Sequence, residues 1–285
     1  MSNFKYLFGD KTYNLSGRTH LIGVLNITPD SFSDGGKYFD GKIDIKKVID
    51  DALKMQNDGA DFVDVGGEST RPGSQKISVD EELERVIPVV SGLKKRLDIP
   101  ISIDTYKHEV AEEALKEGAV IVNDISTFNF DKKMPEIISQ FNASCVLMHI
   151  KGTPNDMQSN PLYDDVVQEI YDYLSNSINI AEDAGIKQII IDVGIGFGKT
   201  LEHNLILIKN LSRFKELNYP ILLGTSRKSF IDKIYPTPLS ERLDGTIASN
   251  TVGILNGANI IRVHDVAENK RAARVADKLK NKEII

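Results

Sequence analysis

Cysteine is almost absent from this chain of 285 residues, since Cys145 is its only one. It lies in the apolar run from Ser144 to Met148. A single cysteine cannot form an internal disulfide, and a thiol within an apolar run is typical of a buried structural residue. No cluster of cysteine and histidine has the spacing of a zinc site. The sequence therefore argues against both a disulfide-stabilised and a zinc-centred domain.

Long apolar runs and an excess of positive charge are also missing. No apolar run reaches the roughly 20 residues of a transmembrane helix. The opening residues, Met-Ser-Asn-Phe-Lys-Tyr, lack the apolar core of a signal peptide. A net charge of −6 argues against sequence-independent binding to nucleic acid or anionic membranes. We therefore expect a soluble, cytoplasmic protein that binds neither nucleic acid nor membrane.

Several short catalytic and nucleotide-binding motifs are absent as well. The chain contains no GxSxG and no Walker loop. No GxGxxG follows the first predicted strand. The stretch Gly194-Ile-Gly-Phe-Gly198 is only a weak match to a glycine-rich nucleotide loop, because it follows the sixth predicted strand. These absences disfavour a dinucleotide-binding fold.

What the chain does contain is a regular alternation of short β-type runs and longer helical patterns. Runs rich in Val, Ile and Leu are typical of parallel strands covered on both faces. They occupy residues 20–27, 62–66, 101–104, 120–124, 145–149, 188–193, 220–224 and 260–264. Eight strands, each followed by a helix, predict an α/β fold of the (β/α)8 (TIM) barrel type, with an open doubly wound sheet as the competing architecture. No long linker or repeat divides the chain, so we predict a single domain over residues 1–285.

Local signals refine this prediction at three places. Residues 4–15 predict a hairpin turning at Gly9-Asp10, and residues 1–18 are expected to cap the amino-terminal end of the barrel. Ser78 followed by Glu81 predicts a helix start, and the apolar spacing of Leu83, Val86, Ile87 and Val90 continues that helix. The same spacing recurs near the carboxyl end, at Ala272, Val275, Ala276 and Leu279.

Polar or ionisable side chains follow nearly every predicted strand. In a (β/α)8 barrel these strand ends converge on one face, where active sites are built. A single such residue is usually a turn or cap residue, but a whole set is hard to explain in that way. The set includes Asn26, Arg71, Asp104, Asn123, His149, Asp192, Lys228, Arg262 and His264. The sequence therefore predicts an active site at the carboxyl ends of the strands.

Four long motifs contain residues of this set: Asn26-Ile-Thr-Pro-Asp-Ser-Phe-Ser-Asp-Gly-Gly36, Asp64-Val-Gly-Gly-Glu-Ser-Thr-Arg-Pro-Gly73, Ser226-Arg-Lys-Ser229 and Arg262-Val-His-Asp-Val266. Together they resemble the motifs of the dihydropteroate synthases, and the resemblance covers nearly the whole chain from His20 to about Asn281. Val193 stands where the family usually has proline, but the neighbouring carboxylate and glycines are kept. The resemblance implies a transferase of folate biosynthesis. It would join 6-hydroxymethyl-7,8-dihydropterin pyrophosphate to para-aminobenzoate, release pyrophosphate, be a sulfonamide target and form a homodimer.

The resemblance also implies a pterin pocket. A pterin ring presents several N–H donors beside a carbonyl, so it requires carboxylate and amide acceptors together with one donor. Asp104, Asn123 and Asp192 would supply the acceptors, and Lys228 would donate to the ring's carbonyl side. Apolar contacts and backbone access are expected from Ile125, Met148, Phe197 and Gly224. Asp104, Asp192, Lys228, Arg262 and His264 are the predicted catalytic residues.

A pyrophosphate and metal site is expected from the first and last strands. Arg262 and His264 are two residues apart on one strand, so both should face the same side. By resemblance they bind pyrophosphate with Arg71 and Asn26, and Asn26 is the protein's ligand for Mg²⁺. Asp64 is expected either to bond near the metal or to order Asn26 or Arg71.

The para-aminobenzoate site is expected from two loops and one helix start. Phe32, Thr70, Arg71, Pro72 and Ser229 would frame it. His149 is open to two interpretations, substrate contact or support of its neighbours.

Two other functions fit parts of the pattern. One is a pterin-binding methyltransferase domain, which would have no use for Arg262, His264 and the Glu68–Gly73 loop. The other is a noncatalytic pterin-binding homologue, which should have lost Lys228, Arg71 or Asn26. All three residues are present.

Overall fold

Eight parallel strands close into a barrel in the computed structural model, which describes residues 4–28, 38 and 43–280. The strands are β3 (His20–Asn26), β4 (Phe62–Gly66), β5 (Ile101–Asp104), β6 (Ile121–Asp124), β7 (Ser144–Met148), β8 (Ile189–Asp192), β9 (Ile221–Leu223) and β10 (Ile260–Val263). Each pairs with the next along the chain, and β10 closes the ring by pairing with both β9 and β3. The predicted barrel is therefore confirmed, and the open sheet is excluded.

A two-stranded hairpin lies under the amino-terminal end of the barrel. Strands β1 (Lys5–Phe8) and β2 (Lys11–Asn14) are antiparallel and turn at Gly9, whose φ is 65°. The Phe8 ring lies 5.0 Å from the ring of Phe62, the first residue of β4. The Tyr6 hydroxyl donates to the carbonyl of Ile189 at 2.7 Å. The hairpin thus closes the end of the barrel away from the predicted site, as expected.

Helices surround the barrel. They are α1 (Ile45–Asn57), α2 (Val79–Lys94), α3 (His108–Lys116), α4 (Met134–Gln140), α5 (Val166–Asp183), α6 (Leu201–Lys209), α7 (Ser229–Ile234), α8 (Leu243–Leu255) and α9 (Val266–Lys280), with 3-10 turns at Leu211–Leu217 and Leu239–Glu241. The predicted start of α2 is confirmed, because the Ser78 hydroxyl accepts from the backbone N–H of Glu81 at 3.1 Å. None of the described helices combines the length and apolarity needed to cross a membrane.

The buried face of α9 differs from the face that the sequence predicts. Val275 and Leu279 are both 61% exposed, whereas Ala273 and Ala276 are buried. Alanines allow the helix to lie close to the barrel, where α9 packs against α8 and β3. The apolar spacing therefore selected Ala276 correctly but was wrong for Val275 and Leu279.

Candidate active site

A cavity of about 370 Å³ opens at the carboxyl ends of the barrel strands. It is lined by every residue of the described ranges that was predicted to bind substrate, pyrophosphate or metal, but not by His149, for which substrate contact was one of two interpretations. The predicted residues that line it are Asn26, Thr70, Arg71, Pro72, Asp104, Asn123, Ile125, Met148, Asp192, Phe197, Gly224, Lys228, Ser229, Arg262 and His264. Phe32 lies outside the described residues. The structure thus brings the predicted set together, although their individual roles remain predictions.

Carboxylate and amide groups lie on neighbouring strands in one part of the cavity. Asp104 ends β5 and is paired in register with Asn123 on β6, and Asp192 ends β8. Burial raises the pKa of Asp104 to about 7, although Arg262 opposes this shift. Burial also raises the pKa of Asp192, against the effect of Lys228. Acceptors in this environment suit a ligand edge rich in N–H donors.

Asp64 pairs with different residues from those expected. Its Oδ2 accepts from Arg262 Nε at 2.7 Å and from Asn123 Nδ2 at 3.1 Å. These contacts correct the expectation that Asp64 orders Asn26 or Arg71. The amide nitrogen of Asn123 is occupied by Asp64, so the amide oxygen is the group left to accept from a ligand.

Lys228 lies opposite the acidic residues, on the loop that precedes α7. Its ammonium donates to the carbonyl of Ile195 and lies 4.5 Å from the centre of the Phe197 ring. Burial lowers the pKa of Lys228 to about 8, and Asp192 opposes this shift. Met148 and Ile125 belong to the apolar cluster that Phe197 packs against. A flat ring could therefore lie in an apolar slot with polar groups at its edges.

His264 is held by a serine to which the sequence reasoning assigned no role. Ser226 Oγ lies 2.9 Å from His264 Nδ1 and accepts from the His264 backbone N–H at 3.2 Å. Burial lowers the pKa of His264 to about 3, and Arg262 and other cations add to the shift. In the ligand-free cavity the ring is therefore neutral, and its N–H can donate a hydrogen bond to a phosphate.

The loop that carries Thr70, Arg71 and Pro72 is fixed at its base by Glu68. The Tyr106 hydroxyl donates to Glu68 Oε1 at 2.6 Å, and Lys107 forms an ion pair with Glu68 Oε2. Tyr106 and Lys107 lie two and three residues after Asp104 in the chain. The loop of the predicted para-aminobenzoate site is therefore joined to the strand end that carries a predicted pterin ligand.

Further lining residues were missed by sequence reasoning. They are Val24, Thr28, Glu68, Ser69, Met157, Gly196, Ser226, Arg227, Leu239 and Arg242. Four of them lie inside the motifs of the sequence analysis, whose positions after strands could have predicted a place in the cavity wall: Glu68, Ser69, Ser226 and Arg227. Three others lie far from any strand end, so no strand pattern could predict that they line the cavity: Met157, Leu239 and Arg242.

Asn26, at the end of β3, fits the predicted role of Mg²⁺ ligand. Its side chain has no hydrogen-bond partner among residues 4–28, 38 and 43–280. Thr28 also lines the cavity, and its buried hydroxyl has no partner within those same ranges. Neutral oxygens with unused lone pairs suit Mg²⁺, which takes few protein ligands beside substrate phosphates.

Comparisons with known proteins identify the family of this chain. The family described as "Pterin binding enzyme" matches residues 22–264. The dihydropteroate synthase of Clostridium beijerinckii is 48% identical, over 94% of this chain and 97% of that protein.

The structure of Yersinia pestis dihydropteroate synthase with a sulfonamide drug superposes with a TM-score of 0.93 at 37% identity, covering 97% of this chain and 99% of that one. The structure of a Clostridium difficile dihydropteroate synthase, obtained in the presence of pteroic acid, gives a TM-score of 0.85 at 48% identity and covers 93% and 98% of the two chains. Sequence, fold and cavity together show that the chain belongs to the dihydropteroate synthases, within the pterin-binding enzyme family.

Proposed function

We propose that the protein condenses 6-hydroxymethyl-7,8-dihydropterin pyrophosphate with para-aminobenzoate, yielding 7,8-dihydropteroate and pyrophosphate for folate biosynthesis. The observation that carries this proposal is the composition of the cavity. Asp104, Asn123 and Asp192 offer acceptors to a pterin, while Arg71 and Arg262 offer cations to a pyrophosphate. A noncatalytic pterin-binding protein would not need the second set.

The residues of the cavity favour departure of the leaving group over activation of the amine. An arylamine is neutral and nucleophilic at neutral pH, so it needs no strong base. Glu68 is the carboxylate nearest in sequence to Thr70 and Arg71, and both its oxygens are engaged by Tyr106 and Lys107. We therefore infer that carbon–oxygen cleavage runs ahead of nitrogen attack.

Two groups of side chains would support this cleavage. Arg71 and Arg262 neutralise charge that builds on the departing pyrophosphate, and His264 donates a hydrogen bond to it. The dihydropterin delocalises the positive charge left on its methylene carbon. Asp104 and Asp192 stabilise that charge from the ring side, which is why their ionisation matters for chemistry as well as for binding.

We further propose Mg²⁺ as the cofactor, bound through Asn26 with the hydroxyl of Thr28 nearby. The bound ion would supply charge neutralisation at the pyrophosphate. A single firm protein ligand is too few for a structural cage. Chelation should therefore abolish turnover and leave the melting temperature of the ligand-free protein unchanged. A large loss of stability on chelation would contradict this assignment.

The experiment that tests the function is direct. The purified protein is incubated with dihydropterin pyrophosphate, Mg²⁺ and labelled para-aminobenzoate, and pteroate is measured by chromatography. We expect labelled pteroate from the wild-type protein and none from Lys228→Met. Lys187→Met is the matched control, because Lys187 is exposed beside the amino-terminal end of β8. Binding of the pterin without any pteroate would favour the noncatalytic alternative.

We also propose that the enzyme is a homodimer formed through α6, α7 and α8. Neighbouring helices there expose large apolar side chains, a feature common at subunit interfaces. They are Leu205, Ile206, Ile234, Tyr235, Val252 and Leu255. Sedimentation velocity should give a dimer for the wild-type protein and a monomer for Ile234→Glu. A wild-type monomer would refute this arrangement.

The expected cytoplasmic location is likewise a proposal, which cell fractionation would test.

A further inference from the structure

Lys199 is an unusual lysine, because its side chain is almost completely buried. It is 1% exposed and lies just beyond the glycine-rich loop that follows β8. Its Nζ lies 2.9 Å from the carbonyl oxygen of Phe197 and 3.0 Å from Nδ1 of His149. His149 is also buried. Neither Lys199 nor His149 lines the cavity, so neither has a role in the chemistry described above.

The two residues lie at a seam between the loop after β7 and the loop after β8. The seam is a contact of backbone on backbone. A Cβ atom at Gly194 would lie 1.9 Å from the carbonyl oxygen of His149, and one at Gly198 would lie 2.4 Å from that of Lys151. Both glycines also have positive φ, of 69° and 65°. Only glycine allows this approach, so the loop after β8 has little freedom to shift without breaking the seam.

Three predicted pterin-binding groups depend on the same loop. The His149 backbone N–H donates to the carbonyl of Asp192 at 3.0 Å, and the Asp192 carboxylate accepts from the Gly194 N–H at 2.8 Å. Lys228 donates to the carbonyl of Ile195 and lies over the Phe197 ring. A displacement of the loop would therefore move the acid, the lysine and the apolar wall together.

We propose that Lys199 and His149 are positioning residues for the pterin pocket, holding the loop 194–198 so that Asp192, Phe197 and Lys228 meet the ring. This inference rests on the proposed function, because it takes the pterin as the ligand of that pocket. Lys199 acts through the Phe197 carbonyl and through His149, and it does not touch the substrate.

A neutral amine suits this arrangement. Lys199 Nζ lies 2.9 and 3.5 Å from the carbonyl oxygens of Phe197 and His149 and 3.0 Å from His149 Nδ1, and none of these partners is a carboxylate that would stabilise an ammonium. Burial lowers the pKa of Lys199 well below its usual value; Lys228 and Lys151 add to this shift and Asp192 opposes it. Removing the amine therefore removes hydrogen bonds, but it does not deprive a buried carboxylate of its counter-ion.

The test is Lys199→Met, which keeps an unbranched apolar side chain and removes the donor. Calorimetry with 6-hydroxymethyl-7,8-dihydropterin pyrophosphate should show a dissociation constant raised about tenfold, as expected from the loss of two buried hydrogen bonds. The KM for para-aminobenzoate, measured at saturating pterin, should stay within about twofold of wild type. Lys187→Met should change neither constant. Unchanged pterin affinity in Lys199→Met would overturn the proposal.

A second variant keeps the test decisive if Lys199→Met does not fold. His149→Phe keeps a ring against Tyr173, whose centre is 4.7 Å from that of His149, and it keeps the backbone bond to Asp192. It should also weaken pterin binding selectively, and combined with Lys199→Met it should add less than the sum of the two effects. Equal loss of affinity for both substrates would instead indicate a general structural role and overturn the proposal. Failure of the wild-type protein to form pteroate would refute the proposed function, while the calorimetric comparison would still be valid.

Discussion

Arg262 Nη2 donates to the carboxylate of Asp104 at 2.8 Å, so a predicted pyrophosphate ligand is paired with a predicted pterin ligand. The same guanidinium donates through Nε to the buried carboxylate of Asp64. Arg262 therefore spans two carboxylates, and its orientation is fixed before any substrate arrives. Preorganised charge of this kind needs little rearrangement in the transition state.

Asp64→Asn should test this fixation. Loss of the Asp64 charge weakens the hold on Arg262, so we expect kcat/KM for the pterin substrate to fall about 10-fold to 100-fold, as for a damaged buried ion pair. Steady-state kinetics at saturating para-aminobenzoate would measure it. Asp61→Asn is the control, because buried Asp61 pairs with Arg18 away from the cavity. It should lower the melting temperature and leave kcat/KM unchanged. Similar kinetic losses in both variants would show that the Asp64 effect is not local.

Asp192→Asn should lower kcat and not merely raise KM. The carboxylate is needed most when positive charge develops on the pterin, and an amide keeps only one of its two acceptor oxygens and none of its charge. A loss of about 100-fold in kcat would correspond to roughly 3 kcal/mol of transition-state stabilisation. Single-turnover kinetics with preformed pterin complex would separate chemistry from binding. A raised KM with unchanged kcat would limit Asp192 to binding.

The pH dependence of kcat/KM for the pterin substrate should be bell-shaped. Burial places the pKa of Asp104 at about 7 and that of Lys228 at about 8. Below the first value the carboxylate is protonated, and above the second the ammonium is lost, so activity should fall on both sides. The profile of kcat/KM reports these groups in the free enzyme. Lys228→Arg should move the alkaline limb to higher pH and leave the acid limb in place, and a limb that does not move would contradict the assignment.

Sulfonamides should compete with para-aminobenzoate and leave pterin binding intact. The predicted arylamine residues Thr70, Pro72 and Ser229 belong to different segments of the cavity wall from Asn123 and Asp192. Inhibition kinetics against each substrate would test this, together with calorimetry of the pterin substrate in the presence of sulfonamide. Direct displacement of the pterin substrate by the drug would refute the separation.

The sequence predicted the barrel and most of the cavity because both depend on local patterns. Each strand is a short apolar run with polar residues at its end or in the loop just beyond it, and the closed ring brings these ends together. The partner of Asp64 could not be predicted, because Arg262 lies on β10, which pairs with β3 only when the ring closes. Ring closure is a property of the whole fold rather than of any segment.

Other features depend on tertiary packing, which sequence patterns do not encode. Sequence spacing selected Val275 for the buried face of α9, but the close approach of the helix favours Ala273. Met157 and Arg242 reach the cavity from loops whose paths are set by tertiary contacts, such as the bond from Arg242 Nε to the carbonyl of Thr237 at 3.0 Å. Lys199 has no role in the sequence analysis, because burial of its amine is visible only in three dimensions.

The central claim is that the site drives departure of pyrophosphate before the amine attacks, and positional isotope exchange tests it most directly. Dihydropterin pyrophosphate is labelled with ¹⁸O at the bridging oxygen between the methylene carbon and the first phosphorus. It is incubated with enzyme, Mg²⁺ and 4-methylbenzoate, which has no amine. Recovered substrate is then examined by ³¹P NMR. A bound pterin cation predicts movement of label from the bridging to the non-bridging positions. Label that stays in place, together with a turnover rate that depends strongly on the nucleophilicity of substituted arylamines, would instead indicate concerted displacement.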